Sequence, residues 1–478
     1  MENRLPFIHM FTYANKYYFY DVNTNKIVNV TGETYNLLNK LLSGCGIYEH
    51  PEIIKLQDKG FLSTNRPSVM IHPLNDVAED FLGHKIRKIT LQITQQCNFR
   101  CEYCVYSGGY SNRQHTSKIM DINTAKKAID FIVEHSKEAS FIDIGFYGGE
   151  PLLRFEFIKE CIEYAEMKGE GKKIQYTLTS NGSIMNKEII DFFHNHSVNL
   201  AISLDGPKEI HDNNRKFASN GYGTYDIVRK NINMIKEINP DYYRKVQISM
   251  TLDTSVDLGC LNQFIISEDM FDTMFLNANL IGDAYKKSAP GFTKDFFVMW
   301  EYNKFISFLS LGGRIEERKI SSMFRRNIIK LAEYMSNTKK IYHSFSERDH
   351  HSGPCLPGHI RLFVNADGNF YPCERVSENS NAMKIGNLDS GFDFDKVRKL
   401  LNIGQLTSDF CQNCYAFRWC GLCAAYADNL DEGKNELSRE KMLPICKNVR
   451  YNMEEDLKDY CALKDLGYDI DELLINVK

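Results

Sequence analysis

The chain has 478 residues, 43% of them apolar and 25% charged, with a net charge of −4. This length suits two or three globular domains with sizeable cores, and the near-balanced charge gives no reason to expect nucleic acid or an anionic membrane as partner. No run of about 18 apolar residues is present to span a bilayer. The stretch Met1–Phe7 lacks the apolar core of an export signal. A cytoplasmic location is therefore expected, and there the 14 cysteines stay reduced.

Residues 1–75 read as a separate unit. Phe7–Tyr13 and Tyr17–Asp21 are aromatic, strand-like runs, and the turn Asn23-Thr24-Asn25-Lys26 joins the second to Ile27–Val30 as a hairpin. Thr31-Gly32-Glu33-Thr34 opens a helix carrying Tyr35, Leu37, Leu38, Leu41 and Leu42 at helical spacing. A short helix over Pro51–Lys59 and a strand start at Gly60-Phe61-Leu62 follow. Three strands on a few helices is the plan of a small winged-helix-like domain.

From 86 to 312 strands and helices alternate. The expected strands are Lys88–Thr94, Phe141–Phe146, Ile174–Thr179, Asn199–Leu204, Val246–Leu252 and Met274–Ile281. The helices between them are Asn123–His135, Phe155–Lys168, Lys187–Asn195, Tyr225–Ile238, Leu261–Ile266 and Lys294–Phe308. Six such units make a partial (β/α)6, TIM-like α/β barrel, in which loops at the C-terminal strand ends carry the chemistry. Residues 313–353 read as a charged helical connector, 354–448 as a Cys-rich domain with too little core to fold without staples or metals, and 449–478 as a helical tail.

The unusual residues all fall at those strand ends. Cys97, Cys101 and Cys104 leave the first strand three and two residues apart. Three thiolates hold three irons of a [4Fe–4S] cube and leave the fourth open for a ligand; zinc would want four closed ligands. Gly148-Gly149-Glu150-Pro151 ends the second strand, Ser180-Asn181-Gly182 the third and Ser203-Leu204-Asp205-Gly206 the fourth, with Arg215 just beyond. The loop Tyr106–His115 reads as either a substrate wall or a surface loop. Cys45, Cys161, Cys260 and Cys461 stand alone and are expected to be buried apolar fillers.

The three-cysteine loop with Tyr103 before its last cysteine, together with the other strand ends, resembles the radical S-adenosylmethionine (SAM) superfamily across the whole 86–312 barrel. The resemblance implies that the open iron chelates SAM and that its reductive cleavage yields a 5′-deoxyadenosyl radical. Gly148, Gly149 and Glu150 would then meet the SAM ammonium, Ser180 and Asn181 the ribose, Ser203 its polar groups, Arg215 its carboxylate, and Tyr103 the adenine.

The second cysteine group resembles the SPASM extension of such enzymes. Cys355 and Cys373 precede the run Cys411-x2-Cys414-x5-Cys420-x2-Cys423, and Cys446 follows. The last gap of the run holds two residues where three are common. The resemblance implies two auxiliary [4Fe–4S] clusters, three in all. Cys411, Cys414, Cys420 and Cys446 would close the distal one. Cys355, Cys373 and Cys423 would hold the nearer one, its eighth position open or filled by Cys461 or a non-Cys group. A ribbon-type zinc site stays open as an alternative. Asp367-Gly368-Asn369 reads as a hairpin turn bringing Cys355 and Cys373 together.

Residues 1–75 resemble a RiPP recognition element, the domain that binds leader peptides of ribosomally made natural products. The whole looks like a maturase installing thioether crosslinks in a Cys-rich precursor peptide (sactipeptide or ranthipeptide type), fed by an external electron donor such as flavodoxin or ferredoxin. The alternatives are an anaerobic sulfatase-maturating, formylglycine-forming enzyme, a carbon–carbon crosslinking cyclase, and a zinc-stabilised binding protein.

Overall fold

A computed structural model describes residues 5–468 apart from 283, 289, 290, 292, 327, 332–344, 431 and 432. The expected connector and tail therefore lie partly outside the described residues. Strands β1 (Ile8–Tyr13), β2 (Lys16–Asp21) and β3 (Lys26–Val30) form an antiparallel meander. Helices Gly32–Leu42 and Pro51–Asp58 follow it, the first capped by the Thr31 side chain on the Thr34 N–H. Alternation along β2 serves two cores: Phe19 faces these helices with Leu38, Leu41 and Ile53, while Tyr18 and Tyr20 face the C-terminal part of the chain with Phe417, Trp419 and Leu457. Gly60-Phe61-Leu62 forms no strand, because the Leu62 N–H is taken by the Asp21 carboxylate, 2.8 Å away.

The unit is thus docked rather than free-standing. Arg418 donates to the Val22 and Asn23 carbonyls, Trp419 Nε1 donates to Asn25 at 3.1 Å, and the His9 ring stacks on Tyr415 at 3.6 Å. These anchors lie in the loop between Cys414 and Cys420. A two-residue strand β4 (Val69–Met70) then leads to a helix, Ala78–His84, that hydrophobic periodicity had not revealed.

Six parallel strands follow in spatial order: β5 (Lys88–Thr94), β6 (Ile142–Gly148), β7 (Ile174–Ser180), β8 (Val198–Ser203), β9 (Gln247–Leu252) and β10 (Phe275–Leu280). Ile89, Leu91, Ile144, Ile202, Ile248 and Met250 are buried under the surrounding helices. The opposite face is polar. Thr90, Gly145, Thr177, Asn199, Ser249 and Asn277 line a lumen of about 490 Å³, closed on one side by Arg361, Glu374 and Arg375. Parallel strands buried on both faces run apolar throughout; a polar inner face marks a barrel with a hollow interior.

The C-terminal region differs from a separate domain. After β11 (Arg348–Asp349), which pairs with β4, strand β12 (Leu362–Val364) pairs in parallel with β5. β13 (Asn369–Tyr371), β14 (Gly386–Asn387) and β15 (Gly391–Phe392) continue antiparallel, giving one ten-stranded sheet. Phe363, Phe370, Ile385 and Leu400 share the barrel's core, which answers the expected shortage of apolar residues. The turn at Asp367-Gly368-Asn369 lies between β12 and β13 as expected. The tail begins earlier than position 449, in a helix Arg439–Asp465 that contains Cys446. No helix among the described residues is long and apolar enough to cross a membrane.

Candidate active site

β5 delivers the chain into Gln95–Cys104, and two neighbouring segments hold that loop by main-chain bonds. Gly149 and Glu150 donate to the Thr94 and Gln96 carbonyls at 2.9 and 2.8 Å, and Arg100 and Glu102 donate to Lys216 and Asn214 at 2.8 and 3.0 Å. Phe99 is buried edge-on against Phe217. The two glycines at the end of β6 are needed here. A Cβ on Gly148, whose φ is +148°, would lie 1.9 Å from the Thr94 oxygen, and one on Gly149 would lie 2.1 Å from that of Gln96. They admit the cysteine loop itself, where the sequence had suggested approach to a ligand.

An N–H is aimed at each sulfur. The Phe99 N–H meets Cys97 Sγ at 3.3 Å, Asn181 Nδ2 lies 3.8 Å from the same atom, Tyr106 N–H is 3.5 Å from Cys104 Sγ, and Arg215 Nη1 is 4.0 Å from Cys101 Sγ. Burial pushes the thiols up, Cys97 to about 11 and Cys101 to about 12, so without metal they keep their protons. Three soft thiols, no carboxylate among them and donors to every sulfur fit an iron–sulfur cube. Among the described residues no three His, Cys, Asp or Glu side chains converge as ligands of one ion; cubane ligands bind separate irons and stand farther apart.

Around this loop the charged residues are tied together. Asp205, just past β8, takes Arg215 Nε at 2.7 Å and Nη2 at 3.2 Å, and accepts from the Tyr103 hydroxyl and the Thr251 N–H. The Arg215 cation also lies over the Tyr103 ring. A buried guanidinium needs a counter-charge, so the group expected to meet a SAM carboxylate already has Asp205 and leaves only Nη1 towards the cysteines. Glu150 is fully buried and accepts from Leu152 N–H, Ser180 Oγ and Asn181 N–H at 3.0, 2.8 and 2.7 Å. It braces two strand ends, where an ammonium contact was expected, and Ser180 is engaged with it. The Asn181 amide reaches Asn98 at 2.8 Å. Ser203 is buried in β8 beside Ser249, and its hydroxyl has no hydrogen-bond partner among the described residues. His211 was not singled out by the sequence. Its Nδ1 accepts from Asp205 N–H and its Nε2 meets Thr224 Oγ1 at 3.0 Å, bracing the Arg215 turn.

The loop Tyr106–His115 is more than a plain surface loop, since Tyr106, Tyr110, Asn112 and Arg113 are buried. Arg113 is fully buried, donating to the Glu374 and Val376 carbonyls at 2.7 and 3.1 Å and pairing with Glu378. The loop is a bracket between the barrel and the C-terminal region.

The seven C-terminal cysteines fall into two groups. Cys420 lies in the electrostatic field of Cys414, Cys411 and Cys446, and Cys373 in that of Cys423 and Cys355. Burial raises both thiols to about 12. The second group adjoins the lumen, since Glu374 and Arg361 act on Cys355 and Arg375 on Cys423. Cys461 lies instead in a cluster with Phe11, Tyr18 and Leu457, and the charged groups acting on it are Asp465 and Lys16 rather than other cysteines. Of the isolated cysteines Cys161 and Cys461 are buried, whereas Cys45 and Cys260 are exposed.

Comparison with known proteins agrees with this geometry. Residues 91–254 match the model of the Radical SAM superfamily. An uncharacterised protein of Methanocaldococcus jannaschii is 32% identical over 180 residues, 38% of this chain and 57% of that one. A cysteine-type anaerobic sulfatase-maturating enzyme of Clostridium perfringens is 23% identical over 363 residues, 72% of this chain and 90% of the relative. The solved structure of native anSMEcpe with bound AdoMet superposes with a TM-score of 0.56 at 22% identity, covering 76% of this chain and 99% of that one. The same protein with AdoMet and the Kp18Cys peptide gives 0.55 at 21%, over 76% and 99%. Residues 91–254 form a radical SAM domain, the domain of enzymes whose chemistry draws on SAM and [4Fe–4S] iron–sulfur.

Proposed function

We propose that this enzyme is a peptide maturase that joins a cysteine sulfur to a carbon of a ribosomally made, Cys-rich precursor. One observation carries the reading: a polar lumen of about 490 Å³ is lined by β5, the strand that leads into the cysteine loop, and by Arg361, Glu374 and Arg375, which act on Cys355 and Cys423 of a cysteine trio completed by Cys373. The relative solved with a peptide supports a peptide as the substrate class.

When bound, SAM and the clusters supply a 5′-deoxyadenosyl radical and an acceptor for one electron. Cys97, Cys101 and Cys104 would hold the SAM cluster, with Ser203, Arg215 Nη1 and the backbone of Gly148 and Gly149 bounding the SAM bed. Cys411, Cys414, Cys420 and Cys446 would hold a closed auxiliary cluster. The trio would hold another with one position left for the substrate thiolate. The lumen residues orient the target side chain and keep bulk water away. Overall one C–H and one S–H are replaced by C–S: a hydrogen atom leaves with the nucleoside, the thiol proton goes to solvent, and one electron passes to the auxiliary site.

The N-terminal unit, residues 1–75, would capture the leader as an added strand at an edge of the β1–β3 sheet, which raises the local concentration of the core peptide at the barrel. A flavodoxin or ferredoxin would provide the reducing electron. Formylglycine formation is the second reading, favoured by the 90% span of the Clostridium relative; it does not need the N-terminal unit.

The test is anaerobic incubation of reconstituted enzyme, SAM, reductant and a precursor encoded beside the gene. A loss of about two mass units per crosslink that survives thiol reduction and alkylation is the expected result. Loss reversed by reduction means disulfides, and formylglycine in its place moves the reading to the sulfatase-maturating class.

A further inference from the structure

The helix Lys294–Leu311 has apolar residues pointing in several directions, since Phe296, Phe297, Val298, Met299 and Trp300 run consecutively. Such a helix can bury only part of its surface against one neighbour. Phe296 and Phe308 are buried, whereas Phe297 is 50% exposed. Facing it across a gap is the C-terminal helix, with Tyr451 57% exposed. Between the two lies a hollow of about 530 Å³, floored by Phe296, Trp300, Phe308, Phe324 and Ile328. A second hollow of about 720 Å³ shares Leu331, Asn452 and Asp456 with the first, so the two form one trough. One end reaches Leu280, at the C-terminal end of β10 and hence the barrel mouth; the other reaches Gly421 and Leu422, between Cys420 and Cys423.

The rim carries Glu301, Glu455, Asp456 and Asp459 against Lys304 and, at the far end, Lys330. Lys304 is already bound to Glu301 and Asp459, at 2.7 and 3.0 Å, and Glu455 is bound to Lys458 at 2.9 Å. Asp456, where the two hollows meet, has no ion pair or hydrogen bond among the described residues. Burial and then the neighbouring Asp459 push its carboxyl up to about 7, although Lys304 pulls the other way; a further cation in the trough would offset the cost of its charge.

We propose that this trough is a docking track for a peptide segment in which apolar side chains alternate with lysine or arginine, with Asp456 as its central ion-pair partner. The proposal rests on the reading of the enzyme as a peptide maturase and adds a third contact, beyond leader and target, that leads the precursor along the molecule to the barrel mouth. Apolar anchors fill the aromatic floor and the cation sits at the junction, the usual division between packing and electrostatic selection at an interface.

The test uses the full-length, reconstituted holoenzyme and two short fluorescein-labelled peptides, one alternating leucine with lysine and the other leucine with glutamate. Fluorescence anisotropy is expected to give saturable binding of the first and at least about tenfold weaker binding of the second, roughly 1.4 kcal/mol. Asp456→Asn and Phe297→Ser, on opposite walls, should each weaken the lysine peptide about tenfold, while substrate-free release of 5′-deoxyadenosine stays at the parent rate. Equal affinity for the two peptides, or binding unchanged in both variants, overturns the proposal. So does binding that appears only after deletion of residues 332–344, which makes the chain its own occupant, or a dimer abolished by Phe297→Ser, which makes it a second copy. No crosslinking is needed for this readout: peptide binding without mass loss in a precursor sinks the maturase reading alone, and mass loss without trough binding sinks only the track.

Discussion

Arg113 Nε lies 3.1 Å from Glu378 Oε1, an ion pair between side chains 1% and 7% exposed that joins residues 265 positions apart. Glu378 also accepts from Gln92 at 2.8 Å, so β5, the loop after the first cysteines and the C-terminal region meet at one carboxylate. Removing one partner strands the other charge in a buried site. Arg113→Met should lower stability by about 3–5 kcal/mol, and Arg113→Met combined with Glu378→Met should recover much of it. Urea unfolding followed by near-ultraviolet circular dichroism reads both. Equal stability of the single variant and the parent would remove the pair's structural role.

Asp205 holds Arg215 and the Tyr103 hydroxyl at once. Asp205→Asn keeps the shape but loses the charge that neutralises Arg215. SAM cleavage to 5′-deoxyadenosine under dithionite should fall about 10- to 100-fold, with iron content unchanged. A parent rate would mean that Arg215 orients itself without its partner.

The cysteine groups make separable predictions. Three cubes correspond to about twelve irons per chain. Replacing Cys97, Cys101 and Cys104 by Ala should leave about eight and abolish SAM cleavage. Replacing Cys355, Cys373 and Cys423 should also leave about eight but preserve cleavage while ending crosslinking. Iron counting by inductively coupled plasma spectrometry decides, and zinc in place of iron refutes the auxiliary clusters.

Gly149→Ala brings a methyl group to 2.1 Å from the Gln96 oxygen, which is backbone and cannot swing aside. The cysteine loop must then lift from β6. The expected outcome is a soluble protein lacking the SAM-binding cluster, seen as a loss of about one third of its iron.

Acid should weaken the fold in a defined window. Burial and then His350 hold His72 at about 4 and His351 at about 3, and burial followed by Arg215 holds His211 at about 4, against an ordinary 6.5. These rings are neutral when folded, so below 6.5 the unfolded chain binds more protons. Their contribution is intact above 6.5 and is lost as the pH falls towards 4 and 3. The unfolding midpoint should be flat near about pH 7 to 8 and drop below about 6.5. His72→Asn keeps an acceptor for the Leu74 N–H, which lies 3.1 Å from Nδ1, and should make that slope shallower.

The barrel was legible because period-two alternation and cap residues are local signals. Phe155–Lys168, Lys187–Asn195 and Tyr225–Ile238 have the boundaries read from sequence. The cysteine loop was legible because its spacing is local too. What escaped was non-local. Arg113 looked like a loop cation, and nothing near it in the chain announces Glu378. Asp205 was visible as a strand-end residue, but its hold on Arg215 depends on how the turn folds back. The pairing of β12 with β5 is hidden because three residues of strand, Leu362–Val364, carry too little pattern to name a partner 273 residues away.

That pairing makes β5 an interior strand. Leu362, Phe363 and Val364 lie beside Ile89, Thr90 and Leu91, along the strand that carries the cysteine loop. Cutting the gene before Leu362 would therefore not yield a tidy catalytic half. It would bare an apolar ribbon with unsatisfied main-chain groups, the kind of edge on which copies of a protein stack and precipitate.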